Sequence, residues 1–323
     1  MKAIRVYRTG GPEVLVYEEI DIRKPGRGEV RVRNRAIGVN YTDVYLRKGT
    51  FPPPEMPFTL GKEGAGEVVA IGDDVTDFAI GDRVAYVETL GAYAEECIVP
   101  VHYLIPLPET IDFETAAAMM LKGLTAQYLV RRTFRVGPGH TVLMHAAAGG
   151  VGQILTQWAK HLGATVIGTV GSAAKVEVAR QNGCDHVIEY TKEDVPSRVK
   201  QITKGKGCDV VYDAVGQATF PASLDCLRPL GIFVSFGAAS GSIAPVDLKL
   251  LAEKGSLFAT WQVLPTHLAT RDDVLANSQE LFDVVASGAV KIHIRSRMPL
   301  AEAAEAHRRL EGRQTTGATV MFP

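Results

Sequence analysis

The sequence predicts an α/β protein in two parts, a mostly-β domain followed by a doubly wound parallel sheet, and three observations carry that prediction. The chain has 323 residues, more than a single core of roughly 150 residues usually organises. Its first third is a series of short strand-like runs divided by turn signals. Its middle alternates apolar strands with helical segments. The composition, 46% hydrophobic and 22% charged with 35 Lys and Arg against 36 Asp and Glu, excludes a disordered chain and favours no polyanionic partner such as nucleic acid.

Residues 1–123 contain KAIRVY, VLVYEEI, EVRVRNRAIGV, GAGEVVAIG, DRVAYV and AYAEECIVP, separated by TGGP, KPGRGE, IGDDV and AIGDR. Strand runs between Gly- and Pro-rich turns read as a mostly-β domain. In EVRVRNR, Arg31, Arg33 and Arg35 fall on one face and Val30 and Val32 on the other, which is a solvated strand face rather than an anion site. From 124 to 263 the strands HTVLMHA, ATVIGTV, HVIEY, CDVVYDAV, GIFVSFG and GSLFATW are nearly continuous in apolar residues. Strands of that kind, alternating with helices, belong to a parallel sheet covered on both faces. The tail from about 265 adds two helical segments, DDVLANSQELFDVVASG and AEAAEAHRRLEG, and the strand-like KIHIRSRM and GATVMF.

The N-terminus runs straight into strand-like residues without an apolar signal core, and no window approaches 18 uninterrupted apolar residues, so a soluble, cytoplasmic protein is expected. Cys97, Cys184, Cys208 and Cys226 form no C-x-x-C pair, and the eight histidines form neither H-x-H nor H-x-x-x-H. Buried reduced thiols and no metal site are therefore expected. His145 reads as a packed strand-end residue rather than a catalyst.

The first strand-to-helix turn of the parallel sheet is HAAAGGVG, with Ala147, Gly149 and Gly152 at the positions of a G-x-G-x-x-G fingerprint whose first glycine has become alanine. The context strengthens the match. The apolar strand TVLMH precedes the turn, and Val151, Ile154, Leu155, Trp158 and Leu162 recur at helical spacing after it, with Gly163 as the stop. In such a turn the N–H groups at the helix start, Gly150 and Val151 among them, bind a pyrophosphate. Gly149 lets the backbone approach it, and Gly152 lets helix and strand pack closely. A Rossmann-type dinucleotide site is therefore expected, with a merely structural strand-to-helix turn as the alternative. An NAD site would place Asp or Glu at the end of the second strand, where this chain reads TVGSAAK. Gly171 and Ser172 leave room for a 2′-phosphate and Lys175 can bond it, so NADP(H) is the expected cofactor. The alternative for Lys175 is an ordinary solvated lysine.

The stretches GGPEVL, GVNYTDVYLRKG, GKEGAGEVVAIG, GDRVAY, AAAMMLKGLTAQYL, HAAAGGVG and VVYDAVG together resemble the quinone oxidoreductase, zeta-crystallin-like and zinc-free branch of the medium-chain dehydrogenase/reductase superfamily, over essentially the whole chain. The resemblance implies a GroES-like catalytic domain of residues 1–123 completed by 264–323, beside a Rossmann domain of 124–263. In zinc alcohol dehydrogenases of the superfamily, a histidine metal ligand stands where this chain has Lys62 and a cysteine ligand where it has Asn40. Gly61, Gly64 and Gly66 then read as structural glycines of tight bends or close approach. Without a Lewis acid to stabilise an alkoxide, an acceptor activated by its own conjugation is expected.

The implied reaction is NADPH-dependent quinone reduction by hydride delivery in an interdomain cleft. Reduction of enones, enals or enoyl thioesters is the alternative, and binding of A/U-rich RNA a second one. The resemblance places the acceptor among Asn40, Asp43, Tyr45 and Phe51, with Thr125 where the domains meet. Asn40 and Tyr45 can donate to a carbonyl oxygen, and Tyr45 or a water can return a proton. The alternatives are a turn or interdomain hydrogen bond for Asn40 and a helix cap or ion pair for Asp43. Some members carry tyrosine where Phe51 stands. By the same resemblance Tyr190 lies near the adenosine, with a half-buried strand tyrosine as the alternative, while Phe236 and Gly237 lie beside the nicotinamide and Val215 is a cofactor contact. A homodimer through the terminal strand Gly255 to Trp261 is expected, since a bare apolar edge invites pairing.

Overall fold

The computed structural model describes residues 1–323, and the chain divides into two compact units. One comprises Met1–Leu124, Leu268–Ala286 and Ile292–Pro323, the other Thr125–His267 and Ser287–Lys291.

The first unit begins with β1 (Lys2–Val6), β2 (Leu15–Glu19), β3 (Glu29–Gly38), α1 (Tyr41–Lys48), β4 (Phe58–Thr59), β5 (Glu63–Ile71), β6 (Arg83–Val87), β7 (Glu96–Pro100), β8 (Leu104–Pro106) and α2 (Phe113–Tyr128), within which the two units divide. Six of these eight strands coincide with the strand-like runs of the sequence, whereas the short β4 and β8 fall outside them. The two helices carry no such signal. Helix α1 is only eight residues long, opened by an extended Asn40 and closed by left-handed Gly49 (φ +75°). In α2, Ala116 to Met120 and Leu124 have no exposed surface, and a buried apolar centre of this kind shows no amphipathic period.

The second unit alternates strictly: β9 (Thr141–Met144), α3 (Gly150–His161), β10 (Thr165–Val170), α4 (Ala173–Gln181), β11 (His186–Glu189), α5 (Val195–Ile202), β12 (Cys208–Asp213), α6 (Phe220–Asp225), β13 (Leu227–Ser235), α7 (Leu248–Glu253) and β14 (Phe258–Trp261), then a short α8 (Leu264–His267). The six strands are parallel in the order β11-β10-β9-β12-β13-β14. Taken in sequence along the unit this is 3-2-1-4-5-6, the doubly wound order whose direction reverses between β9 and β12. Its core packs Leu143, Ile167, Val211 and Phe233 of the strands with Val199 and Leu224 of the covering helices.

The chain then returns to the first unit through α9 (Arg271–Ala286), β15 (Ile294–Pro299), α10 (Ala303–Glu311) and β16 (Ala318–Phe322). Strand β16 pairs with β3, giving a seven-stranded sheet of order β15-β16-β3-β5-β6-β8, with β7 also on β3; β1 lies between β2 and β4 in a separate sheet. All four cysteines are buried and free. No helix is long and apolar enough to cross a membrane.

The glycines of LGKEGAG mark close approaches. A Cβ on Gly61, which is left-handed (φ +92°), would lie 2.2 Å from the Tyr93 ring, one on Gly64 2.5 Å from the Tyr86 hydroxyl, and one on Gly66 1.9 Å from the Arg33 carbonyl oxygen. The obstacle at Gly66 is backbone of the paired strand, which cannot step aside as a side chain would. We expect Gly66→Ala to destabilise the protein by about 1–3 kcal/mol, the cost of overpacking. Urea unfolding checks this, and a change below a few tenths of a kcal/mol would refute the close-approach role.

Candidate active site

The C-terminal ends of the parallel strands carry the residues expected to bind the cofactor. After β9 the chain turns through His145 to Gly149, and the left-handed residue of that turn is Ala146 (φ +54°). The fingerprint position Ala147 therefore carries no backbone strain of that kind. It is buried and donates its N–H to the Thr169 carbonyl at 3.1 Å. Gly149 caps α3. A Cβ on Gly152 would sit 2.4 Å from the Ala146 carbonyl oxygen, so only glycine lets the helix start this close to the strand end. Gly150 and Val151 form the first turn, whose N–H groups lack intrahelical partners. His145 is buried, with ring nitrogens 3.0 Å from Thr169 Oγ1 and 2.9 Å from Ser223 Oγ; burial holds it below the usual histidine range. It is a packed strand-end residue.

At the end of β10 a Cβ on Gly171 would meet the Tyr190 hydroxyl at 2.4 Å, so Gly171 and Tyr190 meet even though they belong to neighbouring strands. Tyr190 is 42% exposed, just past β11, more open than a half-buried strand tyrosine. Ser172 caps α4 and Lys175 lies in its first turn. On the other side of the reversal, Asp213 at the end of β12 accepts from the N–H groups of Val215 at 2.6 Å and Gly216 at 3.0 Å. The Phe236 N–H donates to the Asp213 carbonyl at 2.9 Å, and a Cβ on Gly237 would lie 2.8 Å from the Ala214 carbonyl oxygen. Val215, Phe236 and Gly237 are thus gathered at adjacent strand ends. The glycine cradle, the helix start and the carboxylate-free corner at Gly171–Lys175 fit a dinucleotide with a phosphorylated ribose.

In the first unit, Asn40, Asp43, Tyr45 and Phe51 converge on α1. Asn40 Nδ2 donates to Glu63 Oε2 at 2.7 Å, and the Asn40 N–H donates to Asp43 Oδ2 at 2.9 Å, so Asp43 caps the helix as a capping box would. Tyr45 lies between the rings of Tyr41 and Phe51, with centroids at 5.1 and 4.7 Å. Thr125 is buried in α2 and belongs to the second unit.

Several members of this half-site went unmarked in the sequence. Glu63 is wholly buried and accepts from Asn40, from the Leu121 N–H at 2.7 Å and from Lys122 Nζ at 3.2 Å. Tyr93 donates its hydroxyl to Asp43 Oδ2 at 2.9 Å and lies 3.1 Å from His307 Nε2; Arg47 Nη1 lies 3.3 Å from His307 Nδ1, and its Nη2 donates to Glu311 at 2.7 Å. These partners are separated by 50 to 264 residues, and no sequence spacing announces such contacts. Burial pushes Asp43 up to about 7 against hydrogen bonds from Asn40 and Tyr93 that favour the anion. Burial, with the Arg47 charge, pushes His307 down to about 3, so the imidazole is neutral.

Two family models match the chain, "Zinc-binding dehydrogenase" over residues 150–270 and "Alcohol dehydrogenase GroES-like domain" over 26–109. The chain is 51% identical to a quinone oxidoreductase of Pseudomonas aeruginosa, covering 100% of this chain and 99% of that protein. It is 45% identical to a 2-haloacrylate reductase of a Burkholderia species, over 98% of each. The crystal structure of Escherichia coli quinone oxidoreductase complexed with NADPH superposes with a TM-score of 0.98 at 44% identity, covering 100% of both chains. The zinc of the first description does not fit the residues present. Lys62, a cation, is paired with Glu88 at 2.5 Å, Asn40 is bonded to Glu63, and no group of three His, Cys, Asp or Glu side chains could hold a metal.

The elevated Asp43 has a consequence for stability. Its folded-state affinity for a proton exceeds the unfolded one near 3.8, so the stabilisation is present below about pH 4 and is lost as pH rises through about 7. The unfolding free energy of the parent minus that of Asp43→Asn should therefore grow as pH falls from 7 to 4, by about 1.4 kcal/mol per pH unit. Urea titrations across this range check it, and a difference that stays flat would return Asp43 to the ordinary carboxylate range.

Proposed function

Because this chain belongs to the quinone oxidoreductase branch of the medium-chain dehydrogenase/reductase superfamily, we propose that it reduces quinones with NADPH, without a metal, by hydride delivery from the nicotinamide. The observation that carries the cofactor choice is the corner where Gly171 makes room for the Tyr190 hydroxyl and no carboxylate follows β10. A 2′-phosphate there meets Ser172 and Lys175 instead of a repelling anion.

When bound, NADPH supplies the hydride. The chain's own residues bind and orient. Gly149 to Gly152 receive the pyrophosphate at the start of α3, Phe236 and Gly237 flank the nicotinamide, Val215 is a further cofactor contact, and Tyr190 lies by the adenosine. Asn40 retains one amide hydrogen beyond the one given to Glu63 and can donate it to an acceptor oxygen. Tyr45 and Phe51 present an aromatic wall to a flat quinone. Tyr45, or a water, returns the proton, and Thr125 completes the set.

The 2-haloacrylate reductase relative favours a second reading of the same site, in which the acceptor is another conjugated carbonyl compound. We further infer a cytoplasmic homodimer. Strand β14 is the last of its sheet, with Phe258 60% exposed, and pairing of two such edges would cover both.

Lys175→Ala should weaken NADPH binding by about 1.5–3 kcal/mol and leave NADH nearly unchanged, as loss of a charge-assisted hydrogen bond requires. Fluorescence titration with both cofactors checks this, and equal losses would move the phosphate site elsewhere. Chelator-treated protein should oxidise NADPH with 1,4-benzoquinone at the untreated rate; a loss restored by zinc would overturn the metal-free reading.

A further inference from the structure

The parallel sheet ends in a buried polar row just before the loops expected to hold the cofactor. Leu143, Ile167, Val211 and Phe233 lie in register on β9, β10, β12 and β13 and belong to one apolar core. Two residues further along stand His145, Thr169, Asp213 and Ser235, on the same face because side chains alternate along a strand. The His145 N–H donates to the Tyr212 carbonyl at 3.0 Å, which carries the pairing of β9 one residue past its end. All four side chains are at most 2% exposed. Polar groups buried in this way are costly unless hydrogen-bonded. His145, Thr169 and Asp213 are joined by way of Ser223 of α6, while the Ser235 hydroxyl has no protein partner.

The bonds of this chain run in one direction. Ser223 Oγ has two neighbours that can only accept, the Thr219 carbonyl at 2.8 Å and Asp213 Oδ2 at 3.3 Å. It gives its one proton to them and accepts from His145 Nε2 at 2.9 Å. The neutral ring then carries its proton on Nε2, and its Nδ1 accepts from the Thr169 hydroxyl at 3.0 Å. Thr219 Oγ1 adds a donor to Asp213 Oδ2 at 2.6 Å, and Oδ1 is left to the Val215 and Gly216 N–H groups. At the other end Thr169 grips its neighbour strand twice, by its hydroxyl on His145 and by its carbonyl on the Ala147 N–H at 3.1 Å. Left-handed Ala146 lies between the two grips.

We propose that Thr169, His145 and Ser223 are positioning residues of the cofactor site, whose hydrogen-bond chain fixes the Ala146–Ala147 turn before the pyrophosphate cradle against the Val215–Gly216 turn on the nicotinamide side. The proposal rests on the NADPH-dependent reading. None of the three needs to touch the cofactor: Thr169 and His145 act through the turn that leads to Gly149, and Ser223 acts through Asp213. The turn after Asp213 is also held from its other side. Ser240 Oγ donates to the Val215 carbonyl at 2.7 Å, and a Cβ on Gly216 would lie 2.5 Å from the Gly241 carbonyl oxygen. A turn fixed on both sides moves as a body, so the polar row decides where that body sits. Pyrophosphate and nicotinamide belong to one molecule, and a shift of either turn misplaces the hydride donor relative to the acceptor.

The test is a double-mutant cycle on Thr169→Val and Ser223→Ala, which remove the hydroxyls at opposite edges of the imidazole. It is read as the Kd for NADPH and as the hydride-transfer rate to 1,4-benzoquinone with NADPH saturating, beside histidine nitrogen NMR of the parent. Each single variant should raise Kd by about 3- to 10-fold, the range for losing one hydrogen bond, and should slow hydride transfer. The double variant should lose less than the product of the two, since either break opens the same chain. Thr169→Ser, which keeps the hydroxyl, should lose less than Thr169→Val. The parent ring should be neutral near neutral pH with its proton on Nε2. Should a variant of the cycle fail to fold, His145→Gln, whose amide both donates and accepts, should bind NADPH more tightly than His145→Leu. Fold-losses that multiply, folded variants with the parental Kd, or a parent ring with its proton on Nδ1 would overturn the proposal. A parent that binds no NADPH would end the cofactor reading itself, whereas a parent that binds beside unmoved variants ends this proposal alone. If benzoquinone gives no rate, the acceptor reading fails and the Kd cycle still decides the chain.

Discussion

Glu63 accepts from the Asn40 side chain, the Leu121 N–H and the Lys122 ammonium while having no exposed surface, and the acceptor half-site hangs on that one carboxyl group. Burying it without partners would be costly, so the three donors are bound to their places as firmly as the group itself. They come from the loop before α1 and from the middle of α2, so β5 ties both helices to the sheet. The neighbouring strand must yield the space. A Cβ on Gly38 would lie 2.2 Å from Glu63 Oε2 and 2.2 Å from the Ala117 carbonyl oxygen. The glycine that ends β3 is thus a packing requirement of a carboxyl group 25 residues further along the chain.

That same arrangement explains what becomes of a metal position when its ligands change. Lys62 precedes Glu63 on the chain, yet its ammonium pairs with Glu88 on the far side of the bend, and Glu88 itself is left-handed (φ +58°). Asn40, where the zinc relatives have a cysteine, is held by Glu63. Two positions that would each present a soft or imidazole ligand to one ion instead carry an amide and a cation with separate acidic partners. Asn40 and Lys62 are thus each satisfied by a protein carboxylate, and on the proposed reading acceptor activation falls to hydrogen bonds and to the acceptor's own conjugation.

The parts legible in the sequence were those governed by local rules. Most strands of both units, the G-x-x-G helix start at Gly149–Gly152 and the carboxylate-free corner at Gly171–Lys175 follow from periodicity, turn chemistry and short motifs, and each lies within one element or turn, while the two- and three-residue β4 and β8 are too short to show a period. Helix α2 escaped because its central turns, Ala116 to Met120 and Leu124, are buried and apolar and set no amphipathic period. Glu63, Tyr93, His307 and Arg47 escaped for another reason: each matters through a partner far away in the chain, and a lone buried tyrosine or histidine carries no mark of the hydrogen bond it will make. The resemblance supplied Asp43 without its environment, and the environment is what sets its proton affinity.

The two candidate residue sets also pose opposite electrostatic problems. The candidate cofactor residues would receive an anion, on the proposed reading, mostly with backbone: N–H groups at the start of α3, glycines that admit close approach, and a single lysine at the edge of α4. Its turn tolerates Ala147 because the left-handed position is Ala146, so the fingerprint can lose its first glycine without losing the N–H groups. The candidate acceptor residues, on the proposed reading, would receive a neutral, flat molecule that gains an electron pair, and they rely on buried side chains whose charges are already paired, Glu63 with Lys122 and Arg47 with Glu311. Backbone donors need only correct turns, which short motifs specify. Side-chain carboxyl groups in a dry interior need partners from across the fold, which is why the acceptor half draws on β5, α2, the segment after β6 and α10 together.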